Sequence, residues 1–168
     1  MTREHLNESA QVLVAELSAA LPDWARFLVD YGPQDDPQAA PGSIQLTVLP
    51  PAHPGHTLRV LLRGNTVEVV YDDARPPGPA EQVFAFNRPH VRDAARAVVA
   101  FVQEVIAERV VVVREPLGWV TRLLRGRQLK DVPWFRRREE VQAAAANRYP
   151  VVYSWRGTYS RPPVHGAA

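Results

Sequence analysis

The sequence predicts an α+β fold, a mostly antiparallel sheet with helices packed on one face, in a single domain over residues 1–168. A hairpin is the first observation behind this prediction. Two segments rich in Val and Leu, Leu58–Arg63 and Thr66–Tyr71, flank Gly64-Asn65, a pair that tolerates positive φ. The second observation is that residues 81–115 predict a strand, a long helix and a strand in succession. The repeated βαβ alternation of a doubly wound nucleotide-binding fold is absent.

Two helices are predicted from the spacing of apolar residues. One covers residues 91–106, where an apolar stripe recurs at alternating steps of four and three. The members of this stripe are Val91, Ala95, Val98, Val102 and Val105. Pro89 suits the first turn of this helix, and Asp93 suits the positive end of its dipole. An amphipathic helix is also predicted over Thr2–Leu21, with its first residue as the N-cap and a proline after its end.

The other strands are predicted from alternation and from Val content. Residues 24–31 alternate and predict a strand, although a helix that begins at Asp23 competes with it. Residues 43–49 predict the next strand, and residues 82–86 predict the strand before the long helix. Val110–Val113 show no alternation, which is typical of a strand covered on both faces and therefore central in its sheet.

The C-terminal third has weaker patterns. Residues 117–124 predict either a strand or a short helix, and residues 125–135 predict a loop that contains a proline. Residues 136–147 predict a helix, and residues 149–160, rich in Tyr and Trp, predict a final strand or hairpin. Residues 161–168 are expected to form a frayed tail.

Composition and length are typical of one soluble domain. The chain has 168 residues, of which 46% are hydrophobic and 23% are charged. It contains no cysteine, which excludes disulfides and thiolate metal sites. No apolar run approaches the roughly 20 residues that cross a bilayer, and the first residues are too polar for a secretory signal. We therefore expect a cytoplasmic protein with no membrane segment.

Charge is unevenly distributed along the chain. Residues 1–108 contain 8 Arg and 14 Asp or Glu, and residues 109–168 contain 12 Lys or Arg and 4 Asp or Glu. The first part therefore has a net charge of −6 and the second part a net charge of +8. Such asymmetry predicts an anionic partner for the C-terminal part, although a GC-rich genome explains the Arg, Ala, Pro and Val content equally well.

Motifs for catalysis and for cofactor binding are absent from the sequence. It contains no G-x-G-x-x-G, Walker loop, H-E-x-x-H or G-x-S-x-G. His53 and His56 lie three residues apart in a Pro-Gly loop, and the other histidines are scattered. No metal site and no cofactor is predicted, and we expect these two histidines to be exposed to water.

Acidic residues follow the hairpin. Asp72 and Asp73 end its second strand beside a proline-rich loop, and Glu81 is near in sequence. Carboxylates at a strand end can bind a cation or act in acid–base chemistry. Adjacent carboxylates usually point apart, so we favour a turn cap or an acidic rim that meets a basic partner.

Residues 119–138 form a basic stretch that is interleaved with aromatic residues. The basic residues are Arg122, Arg125, Arg127, Lys130, Arg136, Arg137 and Arg138, and the aromatic residues are Trp119, Trp134 and Phe135. Arginine with aromatics indicates a surface for nucleic acid or for an acidic protein, but buried tryptophans beside a solvated helix are the more common structure. The aromatic stripe of residues 149–159, which includes Trp155, is typical of sheet packing or of an interface hot spot.

Residues 57–114 resemble small bacterial immunity-type proteins encoded beside secreted toxins. The resemblance rests on the hairpin Leu58–Tyr71, the Asp72-Asp73 loop, the strand to Phe86 and the helix ending at Arg109 before the valine strand. It implies a compact α+β protein that binds and blocks a toxin. It assigns a role to no individual residue.

The sequence thus predicts a non-enzymatic cytoplasmic protein-binding module, with an immunity-like inhibitor of a bacterial toxin as its most specific form. The predicted partner-binding residues are Asp72, Asp73, Arg122, Arg125, Arg127, Trp134, Arg136, Arg137 and Trp155. One alternative is a nucleic-acid-binding protein that uses residues 122–138. Another is an enzyme that uses Asp72, Asp73 or Glu81.

Overall fold

The computed structural model describes residues 6–31, 41–53, 55–72, 79–86, 89–114, 133–144 and 151–159. Within these residues the predicted α+β class is confirmed. The strands are β1 (Leu28–Tyr31), β2 (Ser43–Val48), β3 (Thr57–Arg63), β4 (Thr66–Asp72), β5 (Ala80–Ala85), β6 (Val110–Arg114), β7 (Pro133–Arg137) and β8 (Val151–Tyr153). The α-helices are α1 (Glu8–Ala20), α2 (Val91–Ile106) and α3 (Arg138–Ala143), and a 3₁₀-helix covers Pro22–Phe27. The strands form two antiparallel sheets rather than one.

The first sheet is a five-stranded meander in the order β1-β2-β3-β4-β5. Each of these strands pairs in antiparallel fashion with its neighbour in the chain. The predicted hairpin is β3–β4, and Gly64 takes a φ of 55° in its turn. That left-handed conformation costs glycine little because it has no Cβ.

The main core lies between the first sheet and the helices α1 and α2. Every second residue of β2, β3 and β4 is buried against it, and the inward residues include Ile44, Leu46, Leu58, Val60, Leu62, Val67 and Val69. The stripe of α2 predicted from its spacing is buried in the same core. Helices therefore cover one face of this sheet, as predicted.

The N-terminal helix begins later than predicted. Asn7, rather than Thr2, is its N-cap, and its Oδ1 accepts a hydrogen bond of 2.9 Å from the amide of Ala10. Asparagine is a strong N-cap because it satisfies an amide that has no partner within the helix. Residues 24–31 combine both alternatives from the sequence, since the 3₁₀-helix ends at Phe27 and β1 follows at once.

The second sheet has the order β7-β6-β8, so the valine strand is central as predicted. Val110–Val113 are at most 4% exposed. Val110 and Val112 face the main core. Val111 and Val113 face the other way, into a small outer cluster formed by Val111, Val113, Val141 and Val152.

The C-terminal elements differ from the prediction in their bounds. Pro133–Arg137 form an edge strand, where a loop was predicted up to residue 135 and a helix from residue 136. Proline is tolerated at the first residue of such a strand. The predicted helix over residues 136–147 covers only Arg138–Ala143 in the described part. The final strand ends at Tyr153, and residues 155–159 form turns. Residues 117–124 and 161–168 lie outside the described residues.

Candidate partner-binding surface

Strand β7 directs two of the predicted partner-binding side chains away from the main core. Residues opposite each other in an antiparallel pair lie on the same face of the sheet. Trp134 and Arg136 lie opposite Val113 and Val111, the β6 valines of the outer cluster. Phe135, between them, points inward and packs against the main core. The pair Trp134 and Arg136 therefore shares the outer face of the second sheet.

The Trp134 surface, formed by Trp134 and Arg136, combines an exposed tryptophan with a half-buried arginine. Trp134 is 47% exposed, which is high for the largest apolar side chain. The guanidinium of Arg136 lies 6.0 Å from its ring centroid, at the outer limit of a cation–π contact. Among the described residues, no carboxylate lies within ion-pair distance of Arg136. The Trp134 surface thus places an aromatic ring and a guanidinium side by side on the outer face of the second sheet.

A cleft of about 240 Å³ opens on the same outer face. Its floor is formed by Val111, Val141 and Val152, and its rim includes Arg138 and Tyr159. Helix α3, which has six residues, supplies Arg138 and Val141 to its lining. The outer face of the second sheet therefore combines an exposed aromatic, a cleft and two arginines.

Arg138 is held at the rim of the cleft by contacts at both of its ends. Its amide donates a hydrogen bond of 2.9 Å to the carbonyl of Arg109. Its Nη1 donates to the Tyr159 hydroxyl at 3.1 Å, and its guanidinium lies 4.8 Å from that ring's centroid. Two anchors reduce the rotamer entropy that a ligand of Arg138 would have to overcome.

Glu108 is a buried carboxylate that holds the turn containing Tyr159. It is 5% exposed and has a φ of 56°, which is uncommon for a residue with a side chain. Its Oε1 accepts hydrogen bonds from the amides of Arg156 at 2.6 Å and Thr158 at 3.3 Å. No local pattern predicts this contact, because the partners lie 48 and 50 residues away in the sequence.

The pKa of Glu108 follows from two opposing effects. Burial alone would raise it, because burial disfavours the charged form. Hydrogen bonds from Ser154, Thr158 and Arg156 stabilise the carboxylate, and together they lower the pKa below its ordinary value. Glu108 is thus a charged anchor of the turn, with its acceptor sites occupied by donors of that turn.

Arg137 lies apart from the Trp134 surface. Its Nη1 donates to Glu104 Oε2 at 2.7 Å, and Arg109 bonds the other oxygen of the same carboxylate. The hydrogen bond from Arg109 is the main reason that the pKa of Glu104 is lowered, and the charge of Arg137 lowers it further. The charge of Arg137 is therefore compensated within the chain, between the end of α2 and β7.

Trp155 belongs to the core and not to the partner-binding surface. It is 7% exposed, and its ring centroid lies 5.5 Å from that of Trp24. The sequence pattern of aromatics at residues 149–159 did not distinguish core from surface. Burial now assigns Trp155 to packing between the 3₁₀-helix and the turn after β8.

Two of the acidic candidates, Asp72 and Glu81, lie on the outer face of the first sheet. Asp72 forms an ion pair of 3.1 Å with Arg59. Glu81 lies opposite Val70, one diagonal step from Asp72 on the same face, and is exposed. A neighbouring cation therefore compensates Asp72. Asp73, Arg122, Arg125 and Arg127 lie outside the described residues.

His53 and His56 form an aromatic cluster that the sequence did not predict. Both are half-buried rather than exposed. The His56 ring lies 4.8 Å from the Tyr153 ring and 5.4 Å from the Tyr71 ring, and the His53 ring lies 5.3 Å from Tyr153. His53 Nε2 is 3.0 Å from the carbonyl of Ser154, so this nitrogen carries the hydrogen and donates it. The cluster joins the β2–β3 loop to β8 and to the residue that follows it. The hydrogen bond between His53 and Ser154 links residues 101 positions apart in the sequence.

Two further findings bound the chemistry of the described part. Among its residues, no group of three or more His, Asp or Glu side chains is placed to hold a metal ion. No helix in it combines the length and the apolar character needed to span a membrane.

No protein-family model, no curated protein and no solved structure matches the chain.

Proposed function

We propose that this protein is a non-enzymatic module that binds another protein through the Trp134 surface. The observation that carries the proposal is a tryptophan 47% exposed beside an arginine that has no carboxylate partner among the described residues. Tryptophan and arginine dominate the energetics of protein interfaces because they offer a large apolar area and several directed donors. We expect the partner to present an acidic patch around an apolar pocket.

The finer form of the proposal comes from the resemblance of residues 57–114 to immunity-type proteins. In this form the protein acts in the cytoplasm, and the partner is a bacterial toxin that it inhibits by covering a functional surface. The C-terminal excess of positive charge supports an acidic partner, since complementary charge accelerates association and excludes wrong partners.

Nucleic-acid binding is the competing function. Its affinity depends on several basic side chains that are free to neutralise backbone phosphates. In the described part of that row, Arg137 bonds Glu104 and Arg138 bonds Tyr159, and Arg136 alone has no such bond. Protein binding needs a single Trp–Arg pair and therefore fits these residues better.

Capture from extracts of the source cells tests the proposal. The immobilised chain is compared with Trp134→Ala and Arg136→Glu. Phe27→Ala and Arg26→Glu are matched controls, because Phe27 is 39% exposed and Arg26 lies 4.8 Å from its ring centroid. We expect one protein to be captured by the wild type and both controls, and to be lost with Trp134→Ala and Arg136→Glu.

Two further experiments distinguish a protein partner from nucleic acid and test whether the partner is a toxin. Capture that survives nuclease treatment favours a protein partner, whereas material that nuclease removes and that weakens steeply with salt indicates nucleic acid. The immunity-like form predicts that the captured protein is toxic when expressed alone and harmless when co-expressed with this chain. Capture that is equal for all variants would contradict the role of the Trp134 surface.

A further inference from the structure

The cleft on the outer face of the second sheet has the chemistry of a small-molecule or single-residue site. Its floor is apolar, formed by Val111, Val141 and Val152, and its rim carries Arg138 and Tyr159. The volume of about 240 Å³ is below the range of about 300–1,000 Å³ that is usual for drug-sized ligands. The cleft therefore suits a small group rather than a nucleotide.

The donors of the rim point to an acidic group. Tyr159 accepts a hydrogen bond from Arg138 Nη1, so the hydrogen of its own hydroxyl is left to donate. Arg138 has five N–H donors, and its Nε–H is shielded from water with no acceptor among the described residues. Among those residues Arg138 also has no carboxylate partner. A guanidinium and a phenol side by side form a donor pair that matches a carboxylate.

The position of this donor pair is set by the fold and not by the ligand. Glu108 bonds the amides of Arg156 and Thr158, and the amide of Tyr159 donates to Ser154 Oγ at 3.1 Å. These bonds fix the turn that carries Tyr159, and Tyr159 in turn fixes the guanidinium of Arg138. A preorganised donor pair binds with less loss of side-chain entropy.

We propose that this cleft binds an aliphatic carboxylate, with the carboxylate on Arg138 and the Tyr159 hydroxyl and the aliphatic group on the three valines. The ligand has two sources with the same chemistry: a free short-chain acid, or the C-terminal residue of a peptide that ends in an aliphatic side chain. The inference does not depend on the Trp134 surface, because neither Trp134 nor Arg136 lines the cleft.

Titration of the full chain, followed by the NMR signals of the Val111, Val141 and Val152 methyl groups, tests the proposal. The probes are 3-methylbutanoate for the free acid and acetyl-glycyl-leucine for the peptide end. Their neutral counterparts are 3-methylbutanamide and acetyl-glycyl-leucinamide. We expect at least one acid to shift these methyl signals in a saturable way, and its amide to bind about tenfold more weakly. The acid that binds more tightly identifies the source.

Variants separate the carboxylate contact from a general apolar contact. Arg138→Gln should weaken binding of the acid about tenfold, and Tyr159→Phe, which keeps the ring, about threefold. Arg156→Gln is the control, because it removes an exposed arginine of the same turn that does not line the cleft. Inorganic phosphate should leave the valine methyl signals unchanged.

Three results would overturn the inference. One is equal affinity for each acid and its amide, which needs no variant and so does not depend on whether Arg138→Gln folds. Another is a set of valine signals that none of the probes shifts. The third is binding of inorganic phosphate as tight as that of the acids. Loss of partner capture in Trp134→Ala with unchanged acid binding would show that the two sites are separate.

Discussion

The two sheets of this protein are held together in different ways. The first is a meander whose strands pair with their neighbours in the chain, and its inner face is buried under α1 and α2. The second joins three segments that are far apart in the sequence. In the described part of the chain, its outer face has a cluster of four buried residues, which packs against a helix of six residues.

Polar contacts hold the corners of the second sheet. Glu104 bonds Arg109 and Arg137 at the start of β6 and the end of β7, and Glu108 bonds the turn after β8. The first sheet is thus a scaffold stabilised by apolar burial. Among the described residues, α3 covers the outer face of the second sheet only in part, and this face carries the candidate surface and the cleft.

A cavity in the main core should have the largest effect on stability. Leu62 of β3 is fully buried, so Leu62→Ala should destabilise the protein by about 2–5 kcal/mol, from lost burial and from the cavity left behind. Leu49→Ala is the control, because Leu49 is 64% exposed, and it should change stability by less than about 0.5 kcal/mol. Urea unfolding measures both. Equal effects of the two variants would remove the distinction between core and surface in the first sheet.

Substitution of Glu108, which holds the turn after β8, should have the second-largest effect on stability. Glu108→Gln removes the negative charge of the group that accepts hydrogen bonds from the turn amides. A hydrogen bond to a charged group contributes about 1.5–3 kcal/mol to the free energy of unfolding. Hydrogen exchange should become faster at Arg156 and Thr158 and stay unchanged in β3 and β4. Glu81→Gln, at an exposed carboxylate, is the control. Unchanged exchange at both amides would show that Glu108 does not anchor the turn.

Low pH should weaken the hydrogen bonds between the Glu108 carboxylate and the turn after β8. The pKa of Glu108 is lowered in the folded protein, so its contribution is present above its ordinary value of 4.5. The contribution is lost as the pH falls below 4.5 and through the lowered value, because the unfolded chain then binds a proton more readily. The wild type should therefore lose its stability advantage over Glu108→Gln in this range, as measured by urea unfolding at each pH. A difference that stays constant down to the acid limit would contradict the assigned pKa direction.

The exposed bridge of the second sheet should contribute least to stability. Glu104→Gln breaks contacts with Arg109 and Arg137, whose side chains are 52% and 58% exposed. Exposed ion pairs contribute little because water and salt screen them. The loss should be well below that of Glu108→Gln and should disappear in high salt. A loss that persists in high salt would show that this bridge stabilises the sheet by more than charge.

The sequence predicts the first sheet better than the second, because the strands of the first sheet pair with their neighbours in the chain. Local patterns give the hairpin β3–β4, the helix α2 and the burial of Val110–Val113, because strand pairing by short turns and helical spacing are set by neighbouring residues. Membership of a second sheet could not be predicted, since β7 and β8 reach β6 through contacts distant in the sequence. A proline at residue 133 also indicates a loop unless the strand is known to be an edge.

The candidate site shows the same limit. Trp134 and Arg136 are suggested by composition, but their exposure on one face depends on the register of β7 with β6. Trp155 has the same chemistry and is buried against Trp24. The roles of Glu108 and of His53 depend on partners 48 to 101 residues away. Residue type therefore predicted candidates, and the fold selected among them.

The affinity of the captured partner for Trp134→Ala, compared with Phe27→Ala, tests the central claim most directly. Both substitutions remove an exposed aromatic beside an arginine, one on the second sheet and one on the 3₁₀-helix. We expect Trp134→Ala to weaken binding at least about 30-fold, as for an interface hot spot, while Phe27→Ala stays within about twofold of the wild type. Wild-type affinity in Trp134→Ala, with unchanged stability of the variant, would contradict it.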